Sequence, residues 1–67
     1  MNADEAKKRS EQGAINAIEK IIEEIADKGF RFLDLSDYDD LYESVTEEVM
    51  EYFKENGYKV TGSVISW

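Results

Sequence analysis

Carboxylates are the reactive side chains that this chain offers in greatest number. It has 16 Asp and Glu residues, no Cys and no His. Without His or Cys, neither a Ser-His-Asp nor a Cys-His arrangement for nucleophilic catalysis can be assembled. The glycine-rich phosphate-binding motifs and the G-x-S-x-G motif are also missing. We therefore expect a non-enzymatic protein that works by binding and carries no cofactor.

A run of acids in the middle of the chain supplies the oxygen ligands that calcium prefers. Its members are Asp34, Asp37, Asp39, Asp40 and Glu43. An EF-hand loop requires a D-x-[DN]-x-[DN]-G pattern, and this run lacks both the glycine and the spacing. We predict no functional metal site here.

An acidic row forms the most regular charge pattern: Glu43, Glu47, Glu51 and Glu55 recur at every fourth position. Neighbours in such a row on a helix lie roughly 6 Å apart, a spacing comparable with that of phosphates along a nucleic-acid strand. One interpretation is a partner-binding face that mimics nucleic acid and blocks the basic groove of another protein. The other is the solvated face of an amphipathic helix, because repulsion at this spacing costs only about 0.2–0.5 kcal/mol per pair.

The basic residues cluster at one place only, at Lys7, Lys8 and Arg9. On a helix these three side chains point in different directions and do not converge on one ligand. If an oligomer brings several copies together with Arg31, the four residues are candidates for binding an anionic ligand such as a nucleotide. The alternative is a solvated surface without a ligand.

The overall charge restricts the partners further. The formal net charge is −8, and eight acids occur between Phe32 and Phe53 without one base. A surface this acidic argues against direct binding of nucleic acid or of anionic membranes. No apolar run is long enough to span a bilayer, and the first residues lack the apolar core of a signal peptide. We expect a soluble, cytoplasmic protein.

A helix is predicted over most of Met1–Lys28, and Gly29 ends it. It is the first of the elements that position these charges. Its apolar residues repeat at spacings of three and four, the period of a helix. They are Ala14, Ile15, Ile18, Ile21, Ile22, Ile25 and Ala26. Residues 2–9 contain no large apolar side chain, and Gly13 destabilises the helix by about 1 kcal/mol relative to alanine. We expect the helix to start near Ser10, with residues 1–9 frayed or ordered by a partner.

The isoleucine stripe is wide enough to cover the chain's own sheet and leave side chains for a second subunit. A single domain spanning residues 1–67 is close to the lower size limit for a stable core, and disulfides and Cys/His zinc sites are excluded. We therefore predict a homo-oligomer. Its predicted interface consists of Ile15, Ile18, Ile22, Ile25 and the aromatic Trp67.

The segment Phe30–Leu35 is predicted to be a strand. Phe30 and Phe32 share one face, while Leu33 and Leu35 share the other. A strand that is apolar on both faces is expected where a helix covers one face and a partner the other.

A second helix is predicted to run through Leu41–Phe53, with apolar residues at every fourth position. Ser36 and Asp39 resemble a capping box at its start, and Asn56-Gly57 ends it. The tail Tyr58–Trp67 is either one strand with a bulge at Gly62 or a tight hairpin that turns at Thr61-Gly62. The pattern predicts a compact α+β domain of order α-β-α-β(β), with two helices on a two- or three-stranded sheet, completed by homo-oligomerisation.

Several short segments resemble a group of small uncharacterised bacteriophage proteins. They are the start Met1-Asn2-Ala3 with Glu5-Ala6, the isoleucine-rich helix, Leu35-Ser36, Gly57-Tyr58-Lys59-Val60, and the closing Ile65-Ser66-Trp67. In that group the segment between the last two motifs varies in length, which implies a hairpin. The resemblance implies no enzymatic activity and no binding residues.

The resemblance implies that the protein acts in the cytoplasm of a host cell. Small accessory phage proteins often counter host defence, by sequestering an immune signalling nucleotide or by masking a host protein. A homo-oligomer that sequesters such a ligand is therefore one hypothesis. The acidic mimic of nucleic acid and a purely structural oligomerisation module are the alternatives.

Overall fold

Three α-helices and a three-stranded antiparallel sheet make up the fold. The structure, a computed structural model, describes residues 1–67. The elements, in chain order, are α1 (Ala3–Asp27), β1 (Phe32–Asp34), a 3₁₀ turn (Leu35–Asp37), α2 (Asp39–Glu43), α3 (Glu47–Glu55), β2 (Lys59–Thr61) and β3 (Val64–Ser66). The α+β class predicted from the sequence is confirmed.

Helix α1 is longer at its N-terminus than expected. It begins at Ala3 and not near Ser10, because the Asn2 side chain accepts a 2.9 Å hydrogen bond from the Glu5 N–H and caps it. Its first eight residues, Ala3–Ser10, are all exposed, so the apolar pattern that predicts helices gives no signal there. At the other end Gly29, with φ of +92°, lets the N–H groups of Gly29 and Phe30 bond back to the last turn.

The sheet has the strand order β1-β3-β2, and both pairs are antiparallel. Residue Ile65 of the central strand lies opposite Leu33 on one side and Val60 on the other. Strands β2 and β3 form the hairpin that the resemblance favoured over one bulged strand. Its two-residue loop is Gly62-Ser63, one position beyond the predicted turn, because Thr61 pairs with Val64.

The predicted second helix is interrupted. Helix α2 ends at Glu43, and α3 begins at Glu47 after Thr46, whose hydroxyl accepts a 3.4 Å hydrogen bond from the Val49 N–H. Thr46 is a better N-cap than a helix-interior residue, and this local preference breaks an otherwise continuous apolar period. The capping box at Ser36 and Asp39 does not form, since Tyr38 precedes α2 without a side-chain cap.

The core lies between α1, α3 and the inner face of the sheet. It consists of nine buried residues: Ala14, Ile15, Ile18, Ile22, Leu33, Leu35, Val49, Phe53 and Ile65. No polar side chain is buried with them. Phe53 also makes edge-on aromatic contacts with Tyr52 and Tyr58, at ring-centroid distances of 5.2 and 5.5 Å.

The outer face of β1 is not covered within one chain. Leu33 is buried against the core, while Phe30 and Phe32 are 56% and 54% exposed. The alternation of side chains predicted for this segment is therefore correct. The cover expected over its phenylalanine face is not supplied by any element of the chain itself.

Candidate partner-binding site

Three glutamates of α3 form one exposed acidic surface. This surface, the acidic face, consists of Glu47, Glu51 and Glu55. Each residue lies one i+4 step from the next, so the three carboxylates follow one side of the helix over about 12 Å. The nine-residue helix is held to the core by Val49 and Phe53, which turns the acidic face outward.

The charges of the acidic face are almost uncompensated. The Lys54 ammonium lies 3.5 Å from the Glu51 carboxylate, and both side chains are at least half exposed. Glu47 and Glu55 take part in no ion pair. A surface ion pair of this kind contributes little and is screened by salt, so the face keeps most of its negative potential.

Glu43 does not belong to this surface, although the sequence placed it in the same row. It is the last residue of α2, and the break at Ser44–Thr46 separates it from Glu47. The i+4 relation holds only within one continuous helix. The predicted row of four is therefore a row of three.

Glu48 lies beside the acidic face and is held differently. It faces the N-terminal half of α1, where its carboxylate lies 3.9 Å from the Lys7 ammonium. The pKa of Glu48 is lowered by a hydrogen bond from its own backbone N–H, by the Thr46 hydroxyl and by the charge of Lys7. These contacts keep Glu48 ionised at the N-terminus of α3, where a negative charge is favourable.

A shallow cleft of 380 Å³ runs along the acidic face. Its lining consists of Glu47, Glu48, Glu51, Tyr52 and Glu55. The Tyr52 hydroxyl donates a 3.2 Å hydrogen bond to the Glu19 carboxylate of α1. Partial burial and the neighbouring Glu19 carboxylate raise the pKa of Tyr52, which therefore stays neutral in this acidic surrounding. The cleft is suited to cationic side chains.

The four basic candidates do not meet in one chain. Lys7, Lys8 and Arg9 lie in the exposed N-terminal part of α1, while Arg31 follows its C-terminus. At 1.5 Å per residue, Arg9 is roughly 28 Å along the helix from Lys28, the C-terminal cap of α1, which Arg31 follows. A site for an anionic ligand made from all four would need different chains, and it stays a prediction.

Most of the predicted interface isoleucines lie inside the chain. Ile15, Ile18 and Ile22 are 7%, 0% and 6% exposed in the core of a single chain, so their burial needs no second subunit. Ile25 and Trp67 are half-buried and remain partly available. The sequence stripe looked wider than the sheet requires because α1 is covered on that side by α3 as well.

Trp67 packs at the end of the sheet. Its indole makes an edge-on contact with the Tyr58 ring at a centroid distance of 6.1 Å. The backbone N–H of Trp67 donates a 2.9 Å hydrogen bond to the Arg31 carbonyl. A shallow cleft of 250 Å³ beside it is lined by Ile22, Ala26, Asn56, Gly57, Tyr58 and Trp67.

One polar cluster was missed in the sequence. The Asp34 carboxylate accepts hydrogen bonds from the Ser36 N–H at 3.0 Å, the Ser36 hydroxyl at 2.7 Å and the Ser63 hydroxyl at 2.8 Å. These bonds lower the pKa of Asp34, those from Ser36 most. The D-x-S spacing of an Asx turn could have indicated the local part, but not the contact with Ser63. The cluster ties the hairpin loop to β1 and is structural.

No group of three or more acidic side chains is arranged to hold a metal ion. None of the helices combines the length and the apolar composition needed to cross a lipid bilayer. No family model, curated protein or solved structure matches the chain significantly.

Proposed function

We propose that the protein is a small non-enzymatic binding protein whose acidic face covers a basic surface of another protein. The observation that carries the proposal is the row Glu47, Glu51 and Glu55, which is exposed, aligned and compensated only by Lys54. In combination with the resemblance to small phage proteins, it supports a role in masking a host protein that binds nucleic acid.

The arrangement suits such a role for a physical reason. Regular negative charges about 6 Å apart on a rigid helix present a linear potential, to which a groove built for phosphates is complementary. Complementary charge speeds association and favours partners with basic grooves over acidic ones. Tyr52 adds an aromatic edge next to the carboxylates, and tyrosine is enriched among residues that dominate interface energies.

The cost of the acidic face is also consistent with a binding role without requiring one. Each like-charge i+4 pair destabilises the helix by about 0.2–0.5 kcal/mol, and α3 contains two such pairs. The helix tolerates this because Thr46 caps it and its apolar side chains Val49 and Phe53 are fully buried.

The experiment that tests the proposal is capture of partners from a bacterial lysate by immobilised protein. The variant Glu47→Lys/Glu51→Lys reverses two charges of the acidic face, and we expect it to lose the captured protein. The matched control is Glu23→Lys/Glu24→Lys, which makes the same net charge change at exposed positions of α1.

The control separates a specific face from general acidity. If both variants lose the partner equally, the binding depends on net charge alone and the proposal is wrong. If the α3 variant retains the partner with its fold intact, the acidic face does not bind it. Nucleotide-dependent thermal stabilisation of both variants would instead favour sequestration of an anionic ligand.

A further inference from the structure

The open edge of the sheet at β1 carries backbone groups without a strand partner. Strand β3 lies on one side of β1, and no strand lies on the other. The Trp67 N–H donates to the Arg31 carbonyl, and the Leu35 N–H donates to the Ser63 carbonyl. Because an antiparallel ladder uses alternate residues, the N–H and C=O groups of Phe32 and Asp34 point away from β3. Such an edge is a template for another strand.

The most exposed large apolar side chains other than Met1 flank this edge. They are Phe30 and Phe32, which we call the edge patch. A cleft of 250 Å³ lies beside it, and its lining also includes Ile25, Leu33 and Tyr38. An added strand would therefore gain both backbone hydrogen bonds and an apolar contact, the combination typical of β-strand addition.

The charges along the edge have opposite signs at its two ends. Lys28 and Arg31 precede β1, while Asp34 and Asp37 lie at and beyond its end. Two copies of β1 that pair antiparallel place the basic end of each next to the acidic end of the other. This complementarity arises from a two-fold axis through the strand pair, where the same surface patch is used by both subunits.

We propose that a second copy of this chain binds along β1, antiparallel, to form a dimer with one continuous six-stranded sheet. Phe32 and Asp34 of each copy exchange backbone hydrogen bonds with the other, and the edge patches pack together. A purely basic peptide fits this edge less well, because Lys28 and Arg31 lie beside the N-terminal end of β1 and would repel it.

The dimer goes beyond the binding role proposed for α3 and does not depend on it. Helix α3 packs against α1 and β2, whereas β1 is the opposite edge of the sheet. Dimerisation at β1 therefore leaves Glu47, Glu51 and Glu55 exposed. It also gives the exposed side chains of Phe30 and Phe32 an apolar contact at the sheet edge that the chain itself does not supply.

The first test is the mass in solution, measured by light scattering coupled to size-exclusion chromatography at about 100 µM, a range in which weak dimers are populated. We expect twice the chain mass of 7.7 kDa. The variant Phe32→Lys should give the monomer mass, because a charge at the edge blocks strand pairing. Tyr42→Lys is the matched control at a similarly exposed aromatic residue outside the edge, and it should stay dimeric.

The second test locates the contact without a mutation. Amide hydrogen exchange of Phe32 and Asp34 should slow by at least tenfold between dilute and concentrated samples, while the Leu33 amide inside the ladder changes little. A wild-type monomer at 100 µM overturns the proposal. So does a dimer whose Phe32 and Asp34 amides exchange at the same rate at all concentrations.

Discussion

The Tyr52 hydroxyl lies 3.2 Å from the Glu19 carboxylate, although the two residues are 33 positions apart in the sequence. This hydrogen bond joins α3 to α1 at the border of the acidic face. It adds to the burial of Val49 and Phe53, which orients α3 so that its acidic face points outward.

Replacement of Tyr52 by Phe should lower the thermal midpoint slightly at pH 7 and change its alkaline pH dependence. The folded pKa of Tyr52 is raised above 10.0, mainly by partial burial and then by Glu19. When a pKa is higher in the folded than in the unfolded state, the protonated group stabilises the fold at pH values below its pKa in the unfolded chain. This stabilisation is lost as the pH rises through its pKa in the folded protein. Thermal melts of both proteins from pH 8 to 12 should converge above pH 10, and a constant difference would contradict the assignment.

Asp34 should control stability at acid pH. Its pKa is lowered by hydrogen bonds from Ser36 and Ser63. The ionised carboxylate therefore stabilises the fold at pH values above its ordinary pKa of 3.8, and this stabilisation is lost as the pH falls through its lower pKa in the folded protein. Asp34→Ala should therefore be less stable at pH 7 and show a smaller loss of stability between pH 5 and 2. Urea titrations at several pH values measure this, and Asp37→Ala, which has no such partners, is the control.

Removal of the central aromatic side chain should unfold much of the population. Phe53 is fully buried, and Phe→Ala substitutions in cores cost roughly 3–5 kcal/mol. Tyr42→Ala, at a residue that is 42% exposed, should cost under about 1 kcal/mol. Chemical denaturation with circular dichroism compares the two, and an equal loss would mean that the core is not centred on Phe53.

Two glycines should respond oppositely to alanine. Gly13 lies in α1 with open space around its Cα, so Gly13→Ala should stabilise by about 0.5–1 kcal/mol. Gly57 has φ of +92° at the end of α3, where an L side chain is strained, so Gly57→Ala should destabilise by roughly 1 kcal/mol or more. Denaturation midpoints decide the signs, and stabilisation by Gly57→Ala would contradict the cap geometry.

The sequence predicted the parts of the fold that depend on local periodicity. The 3–4 spacing of the isoleucines located α1, and Gly29 and Gly57 located two helix ends. The start of α1 was missed because Asn2 caps a segment with no large apolar side chains. The break before α3 was missed because Thr46 competes locally with the apolar period around it.

The candidate site was predictable only in part. The i+4 glutamates identified the acidic face, but Glu43 was wrongly included because a row in the sequence assumes an unbroken helix. The width of the isoleucine stripe did not reveal that Ile15, Ile18 and Ile22 are buried in the core of the same chain, where α1 packs against both α3 and the sheet. Long-range contacts such as Tyr52 with Glu19 have no local signal in a single sequence.

The most direct measurement of the central claim is competition between nucleic acid and the acidic face for a captured partner. Duplex DNA titrated onto the immobilised complex should release the partner in a concentration-dependent manner, because both would occupy the same basic groove. An uncharged polymer at equal mass should release none. Retention of the partner at saturating DNA and moderate salt would show that the acidic face does not act as a mimic of nucleic acid.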